Sequence, residues 1–455
     1  MGQKLNYKKR NFYETFGEAE KSAAHRYAAG YTTFLDNAKT ERETVNYSIE
    51  MAKNKGFVPY TFGMKLNVGG KYYFNNRGKN LFLFTIGSES LENGFRISAA
   101  HVDSPRLDLK PCPLYEDGGM SFLKTHYYGG VRKYQWVTLP LAIHGVVVKA
   151  DGSVVNIVIG ENKEDPIFYI TDLLPHLAQE QAKKTLSDAV PAEKLNILVG
   201  SEPLGDSDAP IKHHILTLLN EKYGITEEDF LSAELSLVPA EKARDIGFDR
   251  SLICAYGHDD RVCAYPALTA VMDCADSEHS LMCILADKEE IGSEGNTGMQ
   301  ADLLCDLIHE IATAMGVNPT LARYNSKCLS ADVAACYDPN FPEVFEKQNA
   351  NMLSCGVVVT KYTGSRGKAH TNDANAEYMG WLRNVLAKDN VLWQSGEFGK
   401  VDLGGGGTVA QYIAKHNIET VDLGVPVISM HAPCEAIAKV DLYETYRAVC
   451  AFCKY

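Results

Sequence analysis

Five segments of this 455-residue sequence place a histidine or a carboxylate directly after a short apolar run. The segments are His101-Val102-Asp103, His258-Asp259-Asp260, Asp287-Lys288-Glu289-Glu290, Ser330-Ala331-Asp332 and Met430-His431. Short apolar runs predict buried strands, and open α/β sheets bind ligands beyond the carboxyl ends of their strands. We therefore expect the five segments to converge in one crevice. Imidazole and carboxylate groups together form the ligand set of zinc or a similar divalent ion.

The number of these groups leaves two kinds of metal site open. One ion needs three protein ligands and a water, whereas five ligands with one shared carboxylate serve two ions about 3.5–4 Å apart. In the second case the two residues of the Glu289-Glu290 pair can take different roles, because one carboxylate binds metal while its neighbour takes a proton from water. Asp103, two residues after His101, is placed to hold the imidazole. The pattern favours a two-metal hydrolase.

Each segment also has an ordinary structural interpretation. Asp259-Asp260 after a glycine is typical of a turn or a helix N-cap, and an acidic stretch such as Asp287–Glu290 is typical of a solvated turn. His431 has the alternative of a hydrogen-bonded core histidine. The segments favour a site only when taken together, since adjacent buried carboxylates without cations would be costly.

The elements that must position these residues alternate between strand and helix from Ser251 onward. Apolar runs at 252–256, 281–286 and 357–360 predict strands, and helical patterns cover 262–272 and 303–315. This alternation predicts an α/β fold with a mostly parallel sheet flanked by helices. Residues 112–248 carry alternating β patterns of another kind, so we expect an inserted β-rich domain there. The α/β domain is then discontinuous and consists of residues 1–111 and 249–455.

The composition restricts the partners and the location. The chain is 45% hydrophobic and carries a formal net charge of −13. Such a charge repels phosphate backbones and anionic lipids, so we expect neither nucleic acid nor membrane as a partner. No apolar stretch reaches the roughly 18 residues that cross a bilayer, and no apolar run follows the basic residues near the N-terminus. We therefore expect a cytoplasmic protein.

Four of these segments resemble motifs of a known enzyme family. They are Ile97–Pro105, Asp287–Ser293, Ser330–Ala334 and Val421–Pro426 with Met430-His431. In this order along the chain they are similar to the metal-binding motifs of the aspartyl aminopeptidase family of zinc metallopeptidases, which includes the vacuolar aminopeptidases. The resemblance spans most of the chain. It implies a peptide hydrolase that removes single N-terminal residues from peptides with a free N-terminus.

The resemblance also implies a role for each matched residue. His101, Asp259 and Asp332 would hold one metal ion, and Asp259, Glu290 and His431 would hold the other. Glu289 would be the general base, with Asp103 beside it in the catalytic machinery. Two divalent ions are implied, with Zn²⁺ first and Co²⁺ or Mn²⁺ as alternatives. The insertion at 112–248 would be a dimerisation domain, and the homo-oligomer a tetrahedral dodecamer.

Three further residues are expected to contact the substrate. Lys361 and His176 lie in segments similar to those of the family, and Gly406 belongs to a glycine run that allows a close backbone approach. Where relatives commonly have Leu-Asp-Asn, this chain has His258-Asp259-Asp260, and Ala432-Pro433-Cys434 also departs from the family. Acidic and neutral or hydrophobic N-terminal residues therefore both stay open as substrates.

Two other functions remain as alternatives. A deacylase or carboxypeptidase could use the same two-metal core with a different group in the second subsite. A non-catalytic homologue acting as a scaffold is the rival from another class. All five expected ligands and Glu289 are present, which favours an active enzyme.

Overall fold

The computed structural model describes residues 5–455 and divides the chain into two units. The first unit runs to Asp103 and continues with Ala243–Met430 and Glu435–Tyr455. The second unit comprises Ser104–Lys242 and the short segment His431–Cys434. The insertion expected at 112–248 stays a prediction, and its first boundary falls within a strand, Arg106–Asp117.

Eleven α-helices and twenty-one strands are present in residues 5–455. The helices are α1 Phe12–Thr15, α2 Glu18–Asp36, α3 Glu41–Asn54, α4 Leu186–Ala189, α5 Pro210–Tyr223, α6 His258–Asp273, α7 Leu303–Ala314, α8 Pro319–Tyr324, α9 Ala376–Lys388, α10 Ala410–Ala414 and α11 Lys439–Lys454. The strands are β1 Val58–Pro59, β2 Lys71–Asn76, β3 Asn80–Thr85, β4 Phe95–His101, β5 Arg106–Asp117, β6 Met120–Tyr128, β7 Leu141–Val148, β8 Val154–Ile159, β9 Tyr169–Ile170, β10 Ile197–Gly200, β11 Ala233–Pro239, β12 Arg244–Ile246, β13 Leu252–Ala255, β14 Ser280–Ala286, β15 Lys327–Ala331, β16 Ala334–Ala335, β17 Val357–Thr360, β18 Trp393–Ser395, β19 Glu419–Gly424, β20 Pro426–Val427 and β21 Glu435–Ala438. The expected mixture of strands and helices is confirmed.

The first unit is organised around a nine-stranded sheet. Its strand order is β1-β2-β3-β14-β4-β15-β19-β17-β18. The four central strands β14, β4, β15 and β19 pair in parallel, whereas β2 with β3, β3 with β14, and β17 with β19 pair antiparallel. Parallel central strands bring their carboxyl ends to one edge of the sheet, where ligands of such sheets bind.

Helices cover both faces of this sheet, and the sequence of β14 shows why. Alternate residues Leu281, Cys283 and Leu285 belong to one hydrophobic core, whereas Met282, Ile284 and Ala286 belong to the other. Successive side chains of a strand point to opposite faces, so a strand buried on both sides needs an unbroken apolar run. Helices α2, α6, α9 and α11 contribute to the first core, and α7 and α8 to the second.

The second unit is built on a seven-stranded sheet with only antiparallel pairs. Its strand order is β8-β7-β11-β5-β6-β10-β9. Leu141, Ile143 and Val147 of β7 are buried, and Trp136 just before it is fully buried. Its expected role in dimerisation stays a prediction.

The N-terminal segment 11–55 is helical as its periodicity indicates. Helix α3 begins with a capping box, in which the Thr40 side chain accepts a hydrogen bond from the Glu43 N–H while the Glu43 carboxylate accepts one from the Thr40 N–H. Among residues 5–455, none of the helices combines the length and the apolar character that crossing a membrane requires.

Candidate metal centre

Three of the expected site segments lie side by side at the carboxyl edge of the parallel strands. His101 is the last residue of β4, Asp332 directly follows β15, and the Glu289-Glu290 pair lies in a 3₁₀ turn shortly after β14. The register places His101 opposite Ala286, the last residue of β14. Strand pairing therefore brings together residues that are almost 200 positions apart in sequence.

The first turn of α6 supplies Asp259. Gly257 precedes it with a φ of +72°, and a Cβ on this residue would lie 2.2 Å from Nη2 of Arg261. Only glycine fits such a position without strain. His258 anchors the turn, since its Nδ1 contacts the Tyr31 hydroxyl at 2.8 Å and its Nε2 the Ile253 carbonyl at 3.2 Å. Burial lowers the pKa of His258 to about 3, so this imidazole is neutral and already bonded at both nitrogens.

The imidazole of His101 is surrounded by carboxylates. Its Nε2 lies 3.1 Å from Oδ1 of Asp259 and 3.8 Å from Oδ1 of Asp332. Ligand atoms about 2.0–2.1 Å from a tetrahedral zinc ion lie roughly 3.3 Å from each other, so these separations suit one ion. His101, Glu289 and Glu290 form a second group whose ligand atoms also lie within 4.8 Å of one another.

Asp103 holds the His101 ring and the glutamate pair at the same time. Its Oδ1 lies 3.3 Å from Nδ1 of His101, and its two carboxylate oxygens accept hydrogen bonds from the N–H groups of Glu289 and Glu290, both at 3.1 Å. A partner on Nδ1 leaves Nε2 as the metal-binding nitrogen. Asp103 is completely buried and does not lie in any of the groups of possible ligands found in residues 5–455.

The electrostatics of this cluster fit a bound cation. Burial raises the pKa of Asp332 well above its usual value, and the negative charge of Asp260 raises it further. Burial by itself lowers the pKa of His101, but the hydrogen bonds to Asp103 and Asp259 outweigh this effect and raise it well above the ordinary value. Carboxylates packed this closely cannot all stay ionised without positive charge. Oxygen and imidazole donors in this arrangement suit zinc or a similar ion.

His431 lies in the short segment that groups with the second unit. Its Nδ1 contacts the carbonyl oxygen of Gly130 at 3.1 Å, and a Cβ on Gly130 would lie 2.7 Å from that nitrogen. The hydrogen bond favours the tautomer with the proton on Nδ1, the form in which Nε2 can bind metal. Its role as a ligand stays a prediction.

Comparison with known proteins identifies the family. The model of the aminopeptidase I zinc metalloproteases, family M18, matches residues 34–453 of this chain. The chain belongs to the M18 family. The resemblance to the aspartyl aminopeptidases is thereby confirmed, and with it a hydrolase of the metallopeptidase class with aminopeptidase function.

Individual M18 proteins match this chain over almost its whole length. A probable M18 family aminopeptidase 1 of Clostridium acetobutylicum is 50% identical over 432 residues, which is 93% of each chain. The crystal structure of the M18 aminopeptidase from Thermotoga maritima has a TM-score of 0.94 and 41% identity, and covers 99% of this chain and 100% of that one. The yeast mApe1 dodecamer, 21% identical with a TM-score of 0.77, shares the fold over 96% of this chain and 97% of its own.

The three residues expected at the substrate make the following contacts in this M18 chain, and their role stays a prediction. The ammonium group of Lys361 pairs with Asp373, which also binds Lys368 at 2.9 Å. Gly406 donates its N–H to the Thr363 carbonyl at 3.1 Å. His176 lies exposed in a 3₁₀ turn of the second unit. None of the three belongs to the groups of possible metal ligands found in residues 5–455.

The sequence analysis gave no individual role to two acidic residues. Asp260 is fully buried, and its Oδ2 accepts a hydrogen bond from the His101 N–H at 3.2 Å. Glu435 is 1% exposed, and its Oε2 accepts one from the Asp259 N–H at 3.0 Å. Both fix the backbone of expected ligands. For Glu435, the sequence offered one signal. An acidic residue begins the otherwise apolar strand β21, and a buried charge there needs a partner.

Proposed function

We propose that this chain is a two-metal aminopeptidase that removes single N-terminal residues. One ion would be held by His101, Asp259 and Asp332, and the other by Asp259, Glu290 and His431, with Asp259 shared as the resemblance implies. Zn²⁺ is the first candidate, with Co²⁺ or Mn²⁺ as alternatives. Ions of this kind activate water and polarise the carbonyl of the scissile peptide bond. The observation that carries the proposal is the cluster of carboxylates around Nε2 of His101.

Glu289 is the residue that we propose as general base. Its Oε2 lies 3.9 Å from Nε2 of His101, so it borders the ligand cluster without being one of the closest atoms. Asp103 fixes the Glu289 backbone through its N–H, which sets where the carboxylate can reach. Glu289 would take a proton from the attacking water and later give it to the leaving amine. Asp103 would act as a positioning residue, keeping the His101 ring aligned during these steps.

We propose neutral or hydrophobic N-terminal residues as the preferred substrates over acidic ones. An acidic side chain would need an available cation, but Lys361 and Lys368 both bind the Asp373 carboxylate. Gly406 and His176 remain candidates for contact with the peptide backbone. The measurement is a profile of kcat/KM across aminoacyl substrates. A higher value for glutamyl and aspartyl substrates than for leucyl ones would reverse this preference.

The test of the chemistry compares Glu289→Gln with the wild type. Removing a general base should lower kcat by about 10²–10⁴-fold with little change in metal content. Glu294→Gln is the matched control, because Glu294 is an exposed neighbour whose carboxylate binds only the Gln300 side chain in the described contacts. Wild-type turnover in Glu289→Gln would remove the mechanism.

Substrate chemistry separates the alternatives. An aminopeptidase should cleave free aminoacyl substrates and reject their N-acetylated forms, lose activity with a chelator and regain it on metal addition. A deacylase or carboxypeptidase would show the opposite preference for the acylated or C-terminal group. A folded, metal-loaded protein that cleaves none of these would support a non-catalytic scaffold.

We also propose that the second unit mediates dimerisation and that dimers assemble into a tetrahedral dodecamer. The support comes from the sequence resemblance and from the yeast mApe1 dodecamer, which shares the fold. Light scattering coupled to size exclusion should give about twelve times the 50.1 kDa chain mass. A mass of one or two chains would contradict this assembly. A cytoplasmic location is part of the same proposal.

A further inference from the structure

A cavity lies at the amino ends of the central parallel strands, and we call it the amino-end cavity. It has a volume of about 640 Å³, and its lining includes Arg96, Lys327, Tyr378, Glu419 and Asp373. Arg96 precedes His101 by five residues in β4, and Lys327 precedes Asp332 by five residues. At about 3.3 Å per residue the cavity is roughly 16 Å from the metal centre along the strands.

Two cations occupy neighbouring positions in this cavity. Lys327 lies directly opposite Arg96 in the register of β15 with β4, and opposite Glu419 in that of β15 with β19. Side chains opposite each other on adjacent strands are close together, and like charges there are destabilising. Lys327 therefore has a cation on one neighbouring strand and a carboxylate on the other.

Aromatic rings support both cations without neutralising them. The Arg96 guanidinium carbon and the Lys327 ammonium nitrogen each lie 5.5 Å from the centre of the Trp381 ring, and the ammonium lies 5.7 Å from the Tyr378 ring. Cation–π contact offsets part of the cost of removing a charge from water. Burial lowers the pKa of both side chains, and for Lys327 the charge of Arg96 lowers it further.

The hydrogen bonds of Arg96 are incomplete. The residue is only 8% exposed, its Nη2 donates to a main-chain oxygen of the final residue, Tyr455, at 3.3 Å, and its Nε lies buried without a hydrogen-bond partner in the described part of the chain. Neither Arg96 nor Lys327 forms an ion pair with an Asp or Glu side chain within residues 5–455. A guanidinium presents five donors, and a buried donor left unpaired is costly.

We propose that the amino-end cavity binds a small molecule through an oxyanion, either a carboxylate or a phosphate group, held by Arg96 and Lys327. A forked guanidinium beside an ammonium group matches the oxygens of such an anion. Glu419 and Asp373 at the lining limit the negative charge that the rest of the ligand can carry. The volume is in the range of small-molecule sites. This site is independent of peptide cleavage.

The test titrates the purified, metal-loaded protein with inorganic phosphate and, separately, with acetate, each against sodium chloride at the same ionic strength. The wild type should show a saturable change in tryptophan fluorescence, because Trp381 lies under both cations, and a rise in Tm of about 2 °C at tenfold excess over Kd. A response to phosphate alone, acetate alone or both supports the site and identifies the preferred group.

The variants distinguish this site from general salt effects. Lys327→Met should abolish the response and Lys327→Arg should retain it. Lys347→Met is the matched control, because its ammonium also lies 5.7 Å from a tyrosine ring, that of Tyr337, but outside the cavity. Equal responses in the wild type and Lys327→Met overturn the proposal. The wild type by itself is also a sufficient test of the proposed site. If it shows no saturable change with either anion across the millimolar range, the proposal is overturned, even if Lys327→Met does not fold.

Discussion

Replacing Asp103 by asparagine should weaken both the fold and the metal centre. The two oxygens of Asp103 accept N–H groups from Glu289 and Glu290, both at 3.1 Å, and the side chain is fully buried. Asparagine keeps one acceptor oxygen but turns an NH₂ group toward the other N–H donor. The variant therefore loses one charge-assisted hydrogen bond. In its place the asparagine NH₂ group and a backbone N–H, both donors, point toward each other.

The expected size follows from the strength of these bonds. A hydrogen bond to a charged group contributes about 1.5–3 kcal/mol, and a buried donor left unpaired costs about 1–3 kcal/mol. We expect the free energy of unfolding of the chelated protein to fall by about 2–4 kcal/mol. Because Asp103 also lies 3.3 Å from Nδ1 of His101, zinc affinity should drop by about 10–100-fold, as it does when such supporting groups are lost.

Two assays separate these effects. Urea unfolding in the presence of chelator measures the stability, and competition with a chromophoric chelator measures the zinc affinity. Asp276→Asn serves as the control, because the Asp276 side chain is 97% exposed and should change the free energy of unfolding by less than about 0.5 kcal/mol. If Asp103→Asn matches this control in both assays, Asp103 does not organise the site and the reasoning is refuted.

Three further predictions concern the fold and its charges. Gly257→Ala should lower the free energy of unfolding by about 2 kcal/mol or more in urea titrations, because φ is +72° and the methyl group would meet Arg261. An unchanged midpoint of the urea unfolding transition would contradict this prediction. Burial raises the pKa of Asp422 to about 7, so the folded state keeps a proton that the unfolded chain loses near pH 4. Its contribution to stability is therefore fully present below about pH 4 and falls by about 1.4 kcal/mol per unit as the pH rises to 7. Asp422→Asn should remove this slope in chelated protein, and equal slopes would contradict the assignment. Chelation of the wild type should lower Tm in calorimetry and zinc should restore it, because the carboxylates around His101 lose their counter-charge; an unchanged Tm argues against a resident ion.

The part of the site that lies at strand ends could be predicted from the sequence. His101 and Asp332 follow apolar runs, and parallel pairing of β4 with β15 brings such positions together. The mixed α/β fold followed from the same alternation of runs. These features depend on local pattern and on general rules of sheet geometry, which one sequence contains.

Other features depend on contacts that no local pattern records. The pairing of Lys361 with Asp373 is set by an irregular loop, so the sequence could not show that this cation has a partner. Asp260 resembles an ordinary turn residue until the His101 N–H is found beside its carboxylate. The second unit begins at Ser104, and its strand β5 has a register irregularity between Leu109 and Leu114, where the alternation of side chains is hard to follow in the sequence.

The unbroken apolar sequence of β14 links distant packing to chemistry. Since its odd and even residues fill separate cores, a slip by one residue would exchange the contents of both cores and shift the turn that carries Glu289 by about 3.3 Å. Such a slip is strongly disfavoured. The packing of the two cores therefore fixes the position of the glutamate pair along the strand direction. Volume changes at Met282 or Cys283, far along the strand from the metal centre, should therefore alter turnover as well as stability.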